Sequence, residues 1–514
     1  MTAPLPLGIS DFAKLRELGA LYIDKTGQLA ELLDAGGYLF LARPRRFGKS
    51  LLCSTLRALY EGRRELFADL AIARRWDWER RHPVLSVSLD IDAVTAEELR
   101  ESLVRRLRAI AAEAGVSVGD ARLPGETLQA LIHALRVRHG RRVVVIIDEY
   151  DKPVHDHLER LEAARAMRDV LAGFYGALKG CDGDLQLVFM TGVGRLVRSS
   201  VFSALNQLQD LTLHPLSAGV LGYTEEEVER YAGPWLTRLG ERQGMTVQQV
   251  REQLRARYDG YSWGQGLRVY NPWSVLSCLQ QGSFGAWWWS TGTPRWLMGV
   301  AQQLGVQEDL AAGVWASDLE LHLDIEELKL VPLLWQTGYL TVQEERGALY
   351  RLGFPNAEVR ESWYGMLLGR LAPGLPAGGV SAAGCLWEAL RQGDEAGFVA
   401  ALTQIFAALP ASLQVAREAY YHSLFVAVLQ AVGGRVIAEA GSWRGRADAV
   451  VETERWVYVI EMKLGAAEEA LAQVEERGYH EAYASDPRGL VLIGVGGLGE
   501  RQVACRWRVL RRAG

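Results

Sequence analysis

Tyr38-Leu39-Phe40-Leu41-Ala42-Arg43-Pro44-Arg45-Arg46-Phe47-Gly48-Lys49-Ser50 is the stretch from which the fold is read. The apolar run Tyr38 to Leu41 predicts a buried strand, and Arg43 to Gly48 has the chemistry of a loop. From Ser50 to Tyr60 the apolar residues recur at helical spacing. Strand, Gly-Lys-Ser, then helix is the layout of a phosphate-binding loop. The first helical turn leaves backbone N–H groups without intrahelical partners, and its dipole favours an anion there. Arg43, Pro44, Arg45, Arg46, Phe47 and Gly48 are therefore expected to wrap the phosphates of a nucleotide. Lys49 would reach the β- and γ-phosphates of ATP, and the Ser50 hydroxyl would hold Mg2+. One position departs from the pattern. The motif wants Gly where this chain has Arg43, which denies the loop its usual flexible first corner.

Downstream, Arg141-Arg142-Val143-Val144-Val145-Ile146-Ile147-Asp148-Glu149-Tyr150-Asp151 carries a continuous β-branched run. Such a run marks a strand buried on both faces of a parallel sheet. Asp148-Glu149 falls at its carboxyl end, where open α/β sheets place their ligands. Asp148 there would hold Mg2+, and Glu149 would orient and activate the water that attacks the γ-phosphate. The alternating segment Val84 to Asp90 lies between loop and acidic pair and points to the ATPase branch whose sheet carries an added strand. A further strand, Leu187 to Met190, runs into Thr191-Gly192-Val193-Gly194-Arg195. Thr191 is placed to sense the γ-phosphate. Arg195 would reach the phosphate charge or the site of a neighbouring subunit, so a homo-oligomer is compatible. Leu211-Thr212-Leu213 reads as the last short strand, and Asp24 or Thr26 as the cap of a helix through Leu29 to Leu33.

The chain has 514 residues, enough for about two to four domains. Hydrophobic residues make up 49% and charged residues 23%, the composition of a globular protein. The formal net charge of -5 gives no global basic field, so nucleic-acid binding must rest on a local patch. Cys53, Cys181, Cys278, Cys385 and Cys505 are far apart and form no Cys-x-x-Cys pair, which fits a reducing cytoplasm. Met1 to Pro6 has no charged-then-apolar signal pattern, and no apolar run is long enough to span a bilayer, so no membrane partner is expected.

From Thr224 the chain changes character. Thr224-Glu225-Glu226-Glu227 is a helix start with a reciprocal cap. Helical segments then alternate with aromatic loops: Tyr258-Asp259-Gly260-Tyr261-Ser262-Trp263-Gly264, and Trp287, Trp288, Trp289 and Trp296 in one stretch. These rings read as packing more readily than as stacking platforms for bases. Leu371 to Ala383, rich in Gly, Pro and Ala, reads as a linker. The motif set resembles the bacterial AAA-ATPase-like proteins that carry a C-terminal PD-(D/E)XK nuclease domain. The resemblance runs through the phosphate loop, Ile147 to Asp151 and Thr191 to Arg195. It continues over Tyr258 to Tyr261, Val269 to Pro272, Ser290 to Pro294 and Gln336 to Leu340. It implies ATP binding, and it implies that Arg at position 43 need not abolish the site.

The C-terminal third supplies a second constellation. A helix from Ala416 to Leu429 precedes strands at Arg435 to Ala440, Gly445 to Val451 and Trp456 to Lys463. A helix at Ala467 to Arg477 and a strand at Leu490 to Val495 follow. Asp448 starts one strand and Glu461-x-Lys463 ends the next, the pattern of a PD-(D/E)XK nuclease. Residues alternate sides along a strand, so Glu461 and Lys463 point the same way and Asp448 lies alongside. Two carboxylates make an oxygen-rich Mg2+ site, and Lys463 would orient the attacking water and steady the developing charge. Gln473 would position that water or a phosphate. Glu439 is a candidate third acid, Arg446 a candidate phosphate contact, and His422 and Tyr421 candidates to face the cleft, although His422 reads better as a satisfied helix histidine.

The expected class is α/β: an N-terminal P-loop ATPase domain with a parallel sheet over 1–220, a mainly helical and aromatic middle region over 221–375, and a restriction-endonuclease-like α/β domain over 376–514. The expected function is an ATP-binding and hydrolysing protein coupled to a Mg2+-dependent nuclease acting on DNA or RNA. The rival class is an ATP-dependent switch whose C-terminal fold holds nucleic acid or protein without cutting.

Overall fold

In a computed structural model the described residues are 3–34, 36–195, 207–292, 297, 299–300, 310, 313–371, 378–407, 418–442, 445–498 and 503–513. They form two compact units, one of residues 1–307 and 315–356 and one of residues 308–314 and 357–514. Among the described residues no helix is long and apolar enough to cross a membrane.

The first unit is built on β1 (Gly37–Ala42), β2 (Val84–Ser88), β3 (Val143–Asp148), β4 (Leu185–Gly192) and β5 (Leu208–Asp210). Their order is β2-β3-β4-β1-β5 and every pairing is parallel. The sequence explains the arrangement. Every residue of β3 is buried, as are all but the first of β1, so helices must cover both faces. The helices Lys49–Tyr60, Ala96–Glu113, Pro124–His139 and Leu161–Gly176 bring buried leucine- and aromatic-rich stripes to that task. The strand lying between β1 and β3 is β4, whereas β2 is the outer edge. The last strand also differs from expectation. It is Leu208–Asp210, because the Thr212 N–H donates to Asp210 Oδ1 at 2.7 Å and turns the chain before Leu213.

Arg43 explains how the loop after β1 tolerates its missing glycine. Its side chain is buried, with 1% of its surface exposed. The guanidinium donates to the Ala42 carbonyl (2.8 Å), the Thr212 carbonyl (3.0 Å) and the Ser217 carbonyl (2.9 Å), and stacks on Trp263 at 4.0 Å. Its backbone N–H donates to Gly192 O at 3.1 Å. In this arrangement Arg43 ties the end of β1 to the segment after β5. Burial lowers its pKa to about 9, partly opposed by Asp210.

Of the middle region, residues 221–307 and 315–356 belong to this first unit, and 308–314 and 357–375 belong to the second. Thr224 caps the helix Glu225–Gln243 with the reciprocal bond to Glu227, as its sequence predicts. The helix Leu330–Thr337 leads into the hairpin β7 (Thr341–Arg346) and β8 (Leu349–Gly353), with β6 (Val314–Ser317) beside β8. Asp24 Oδ1 accepts from Thr26 N–H (2.8 Å) at the start of the helix Thr26–Leu33, and its other oxygen accepts from Ala71 N–H.

In the second unit β9 (Arg435–Ser442), β10 (Gly445–Glu452) and β11 (Trp456–Met462) form an antiparallel meander. The helix Ala467–Arg477 crosses over to β12 (Gly489–Gly496), parallel to β11, and β13 (Ala504–Arg511) closes the edge. The order is β13-β12-β11-β10-β9. Part of the expected linker is helical: Gly378 to Ala383 open the helix Gly378–Gln392, while 372–377 lie outside the described residues.

Restoring glycine at position 43 tests the clamp. Arg43→Gly leaves buried carbonyls unpartnered and is expected to destabilise the chain by about 3 kcal/mol or more without tightening nucleotide binding. Denaturant unfolding together with nucleotide titration checks both halves.

Candidate functional site

The loop after β1 is shaped by Gly48, whose φ of +93° suits a residue with no Cβ, and by the helix Lys49–Tyr60 that starts behind it. Lys49 is buried, and its ammonium donates to the Pro44 carbonyl at 3.1 Å. Burial holds its pKa below the ordinary lysine value, while Glu149, Asp148 and Asp151 pull it back up. Asp148 closes β3 nearly buried and accepts the Glu149 N–H at 2.9 Å. Glu149 adopts a φ of +54°, a strained conformation for a residue with a Cβ. Burial raises its pKa and Lys49 lowers it. The arrangement therefore joins a loop cation, a helix N-terminus and two strand-end carboxylates.

Gly48, Lys49, Ser50 and Glu149 line a cleft of about 490 Å³, with Asp148 next to Glu149 in the chain. Its lining includes the polar residues Arg45, Arg46, Lys49, Ser50, Asp90, Glu149 and Lys152, and the apolar or aromatic residues Leu7, Ile9, Tyr223, Pro272, Trp273 and Leu276. Arg46 stacks over Trp273 at 4.3 Å. An anionic group and a flat apolar group would each meet complementary chemistry in this cleft. Asp90, Lys152, Tyr223 and Trp273 were not assigned from sequence. For Asp90 and Lys152 the signal was available, since both flank strand ends on the ligand side of the sheet.

The aromatic loops of the middle region hold the phosphate loop from outside. Phe47 is buried against Tyr261 (4.8 Å between ring centres) and Trp263 (5.3 Å). The Trp288 indole N–H donates to Arg45 O at 3.0 Å, and its ring meets Tyr339 at 5.1 Å. Gly338, with a φ of +90°, leaves room for Pro44: a Cβ there would lie 2.6 Å from the Pro44 Cβ. Phe47 and Pro44 are thus anchors of the loop by their side chains. The segment Thr293-Pro294 and Trp296 lie outside the described residues.

Thr191 and Arg195 are engaged by other groups of the first unit. Thr191 is fully buried and its hydroxyl donates to Leu41 O at 2.6 Å. The Arg195 guanidinium pairs with Asp210 and, at 3.5 Å, with Asp318, while Gln336 brackets its backbone N–H at 3.1 Å and its carbonyl at 3.3 Å. Neither Thr191 nor Arg195 is among the residues that line the cleft. Asp151, also buried, accepts from the N–H groups of Val193 (3.0 Å) and Gly194 (2.7 Å) and so ties the end of β3 to the end of β4.

In the second unit the register Ala449↔Ile460 sets Asp448 opposite Glu461, one pair further on. Asp448 Oδ2 accepts from Met462 N–H at 2.7 Å, and the Asp448 N–H donates to Glu461 Oε2 at 3.3 Å. Glu461 is 3% exposed and accepts from the Gln473 amide. Lys463 follows β11, its N–H donating to Val495 O at 2.8 Å. His422 bonds the Asp448 carbonyl at 2.5 Å, the satisfied helix histidine. Tyr421 is buried against Phe406 at 5.4 Å, so it belongs to the core and does not face a cleft. The side chains of Glu439 and Arg446 lie outside the described residues. Among the described residues no group of three His, Cys, Asp or Glu side chains is placed to hold a metal ion. The donor set of Asp448 and Glu461 is all hard oxygen, which suits a Mg2+ ion completed by water and backbone carbonyls.

Comparison with known proteins agrees with this layout. Residues 6–202 match the AAA-ATPase-like family, described as a predicted AAA-ATPase, and residues 416–507 match the PD-(D/E)XK nuclease superfamily. A relative from Azotobacter chroococcum mcd 1, described as an uncharacterized protein in the vnfD 5' region, is 36% identical over 505 residues and covers 96% of each chain. The solved structure of the Aeropyrum pernix ORC1 protein in complex with DNA overlaps 66% of this chain and 90% of its own. At 16% identity and a TM-score of 0.23 that overlap is too loose to support any inference.

Trp288→Phe removes the indole donor to Arg45 O and keeps the ring. The loss of one buried bond, about 1 kcal/mol, is expected to weaken nucleotide binding several-fold while the fold remains cooperative. Calorimetric titration with thermal unfolding would read both.

Proposed function

Because the chain belongs to the AAA-ATPase-like proteins with a C-terminal PD-(D/E)XK nuclease domain, we propose that its first unit binds and hydrolyses ATP and its second cleaves phosphodiester bonds in DNA or RNA. The observation behind this reading is the meeting of Lys49, Ser50 and Glu149 in one cleft at a helix N-terminus, with Asp148 beside Glu149.

Backbone N–H groups of the loop and the Lys49 ammonium would take the phosphates, with Lys49 leaving the Pro44 carbonyl to do so. Ser50 and Asp148 would hold Mg2+, which neutralises phosphate charge when bound. Glu149 would accept the proton of the attacking water. Tyr223 and Trp273, which line the same cleft, would receive the base. In the second unit Asp448 and Glu461 would hold a divalent ion, whose chemistry is to polarise the scissile phosphate and acidify water. Gln473 holds the Glu461 carboxylate in place, and Lys463 would orient the water and steady the charge that develops. The functional parts are proposed to run over 1–220, 221–375 and 376–514, and nucleic acid to be the partner, with self-association compatible.

The engagement of Thr191 by Leu41 O and of Arg195 by Asp210 favours a second reading: a slow nucleotide switch whose C-terminal fold binds without cutting. Separate substitutions divide the two. Under the enzyme reading Glu149→Gln lowers ATP turnover by about 10²-fold or more and leaves nucleotide binding intact. Lys463→Ala abolishes cleavage of a DNA and RNA panel and leaves ATP turnover unchanged. EDTA abolishes both activities and Mg2+ or Mn2+ restores them. Intact substrates with every metal and nucleotide combination would leave the switch.

A further inference from the structure

Lys152 stands in the cleft beside Glu149, yet its ammonium is engaged by carboxylates. It lies 2.6 Å from Asp156 Oδ2, 3.2 Å from Asp90 Oδ1 and 3.7 Å from Asp92 Oδ1. Arg45, a second cation lining the cleft, lies 3.9 Å from the other oxygen of Asp156. One carboxylate thus faces two cations that line the cleft. Its competitors are weak holders: the side chains of Asp90 and Asp92 are 67% and 102% exposed, and ion pairs to exposed carboxylates contribute little. A terminal phosphate would offer these cations a multiply charged acceptor within a partly enclosed cleft. Of the residues expected to sense that phosphate, Thr191 is buried on Leu41 O and Arg195 is paired with Asp210, and neither lines the cleft. Lys152 sits next to Asp151, whose carboxylate fixes the end of β4, so its backbone is firmly placed.

We propose that Lys152, with Arg45, distinguishes a nucleoside triphosphate from a diphosphate by leaving Asp156 for the terminal phosphate. Asp156 is then the partner that holds the two cations between nucleotides. The inference rests on the nucleotide reading of the same cleft. Binding the triphosphate exchanges one anionic partner for another, and no bond is made or broken.

The test is equilibrium binding of fluorescent ADP and of a fluorescent non-hydrolysable ATP analogue, with Mg2+, to the full chain and three variants. Lys152→Met is expected to weaken the ATP analogue by about tenfold or more, the size of one charged contact, and to leave ADP within about threefold. Lys152→Arg should restore most of the difference. Asp156→Asn should tighten the ATP analogue more than ADP, a gain that misfolding cannot imitate. Equal weakening of both nucleotides by Lys152→Met, or no tightening by Asp156→Asn, overturns the assignment while the nucleotide site stands. Failure of the unaltered chain to bind either nucleotide overturns the nucleotide reading, and this assignment with it.

Discussion

A loop that offers its backbone N–H groups to a polyanion cannot bury them in a core, so something else must fix its shape. Here the fixing is done from two sides. Below, the buried guanidinium of Arg43 joins carbonyls at Ala42, Thr212 and Ser217. Outside, Trp288, Phe47 and the Pro44–Gly338 contact bring the middle region against the same loop. The site in the first unit exists only while both hold. A guanidinium suits the inner position because it presents several donors in a plane and stacks on Trp263, which a lysine would not reproduce.

This gives the middle region a physical task. Its aromatic motifs surround the phosphate loop, its helix Pro272–Gln281 lends Trp273 and Leu276 to the cleft, and Gln336 braces Arg195. Nucleotide in the cleft would therefore touch both the sheet and the middle region, and a change in one would be felt by the other through packed rings. Strain is stored where the chemistry is proposed: Glu149 holds a left-handed backbone beside Asp148 and the buried Asp151. In the second unit the comparable constraint is register. A slip of one residue between β10 and β11 would separate Asp448 from Glu461 and break the bond that joins them.

Much of this was legible in the chain. The continuous β-branched run before Asp148 and the helical spacing after Lys49 fix one solution for strand and helix, because a two-faced sheet admits few others. The Asp448 and Glu461-x-Lys463 spacing works for the same reason: alternation along a strand is a local property. Three things were not legible. The direction of the Arg43 side chain depends on carbonyls at positions 212 and 217, far away in sequence. The engagement of Thr191 and Arg195 depends on Leu41 and Asp210, brought alongside by parallel pairing. The role of the aromatic loops depends on contacts more than 200 residues apart, such as Trp288 with Arg45. Local pattern carries elements; long-range partners decide what each polar side chain does.

The most direct measurement is a crystal structure of the full chain with Mg2+ and a non-hydrolysable ATP analogue. The account predicts phosphate oxygens over the backbone N–H groups after Arg46, Lys49 turned from the Pro44 carbonyl to the phosphates, and Arg43 unmoved beneath Trp263. An analogue bound elsewhere, or an Arg43 swung out of its pocket to reach the phosphates, would contradict it.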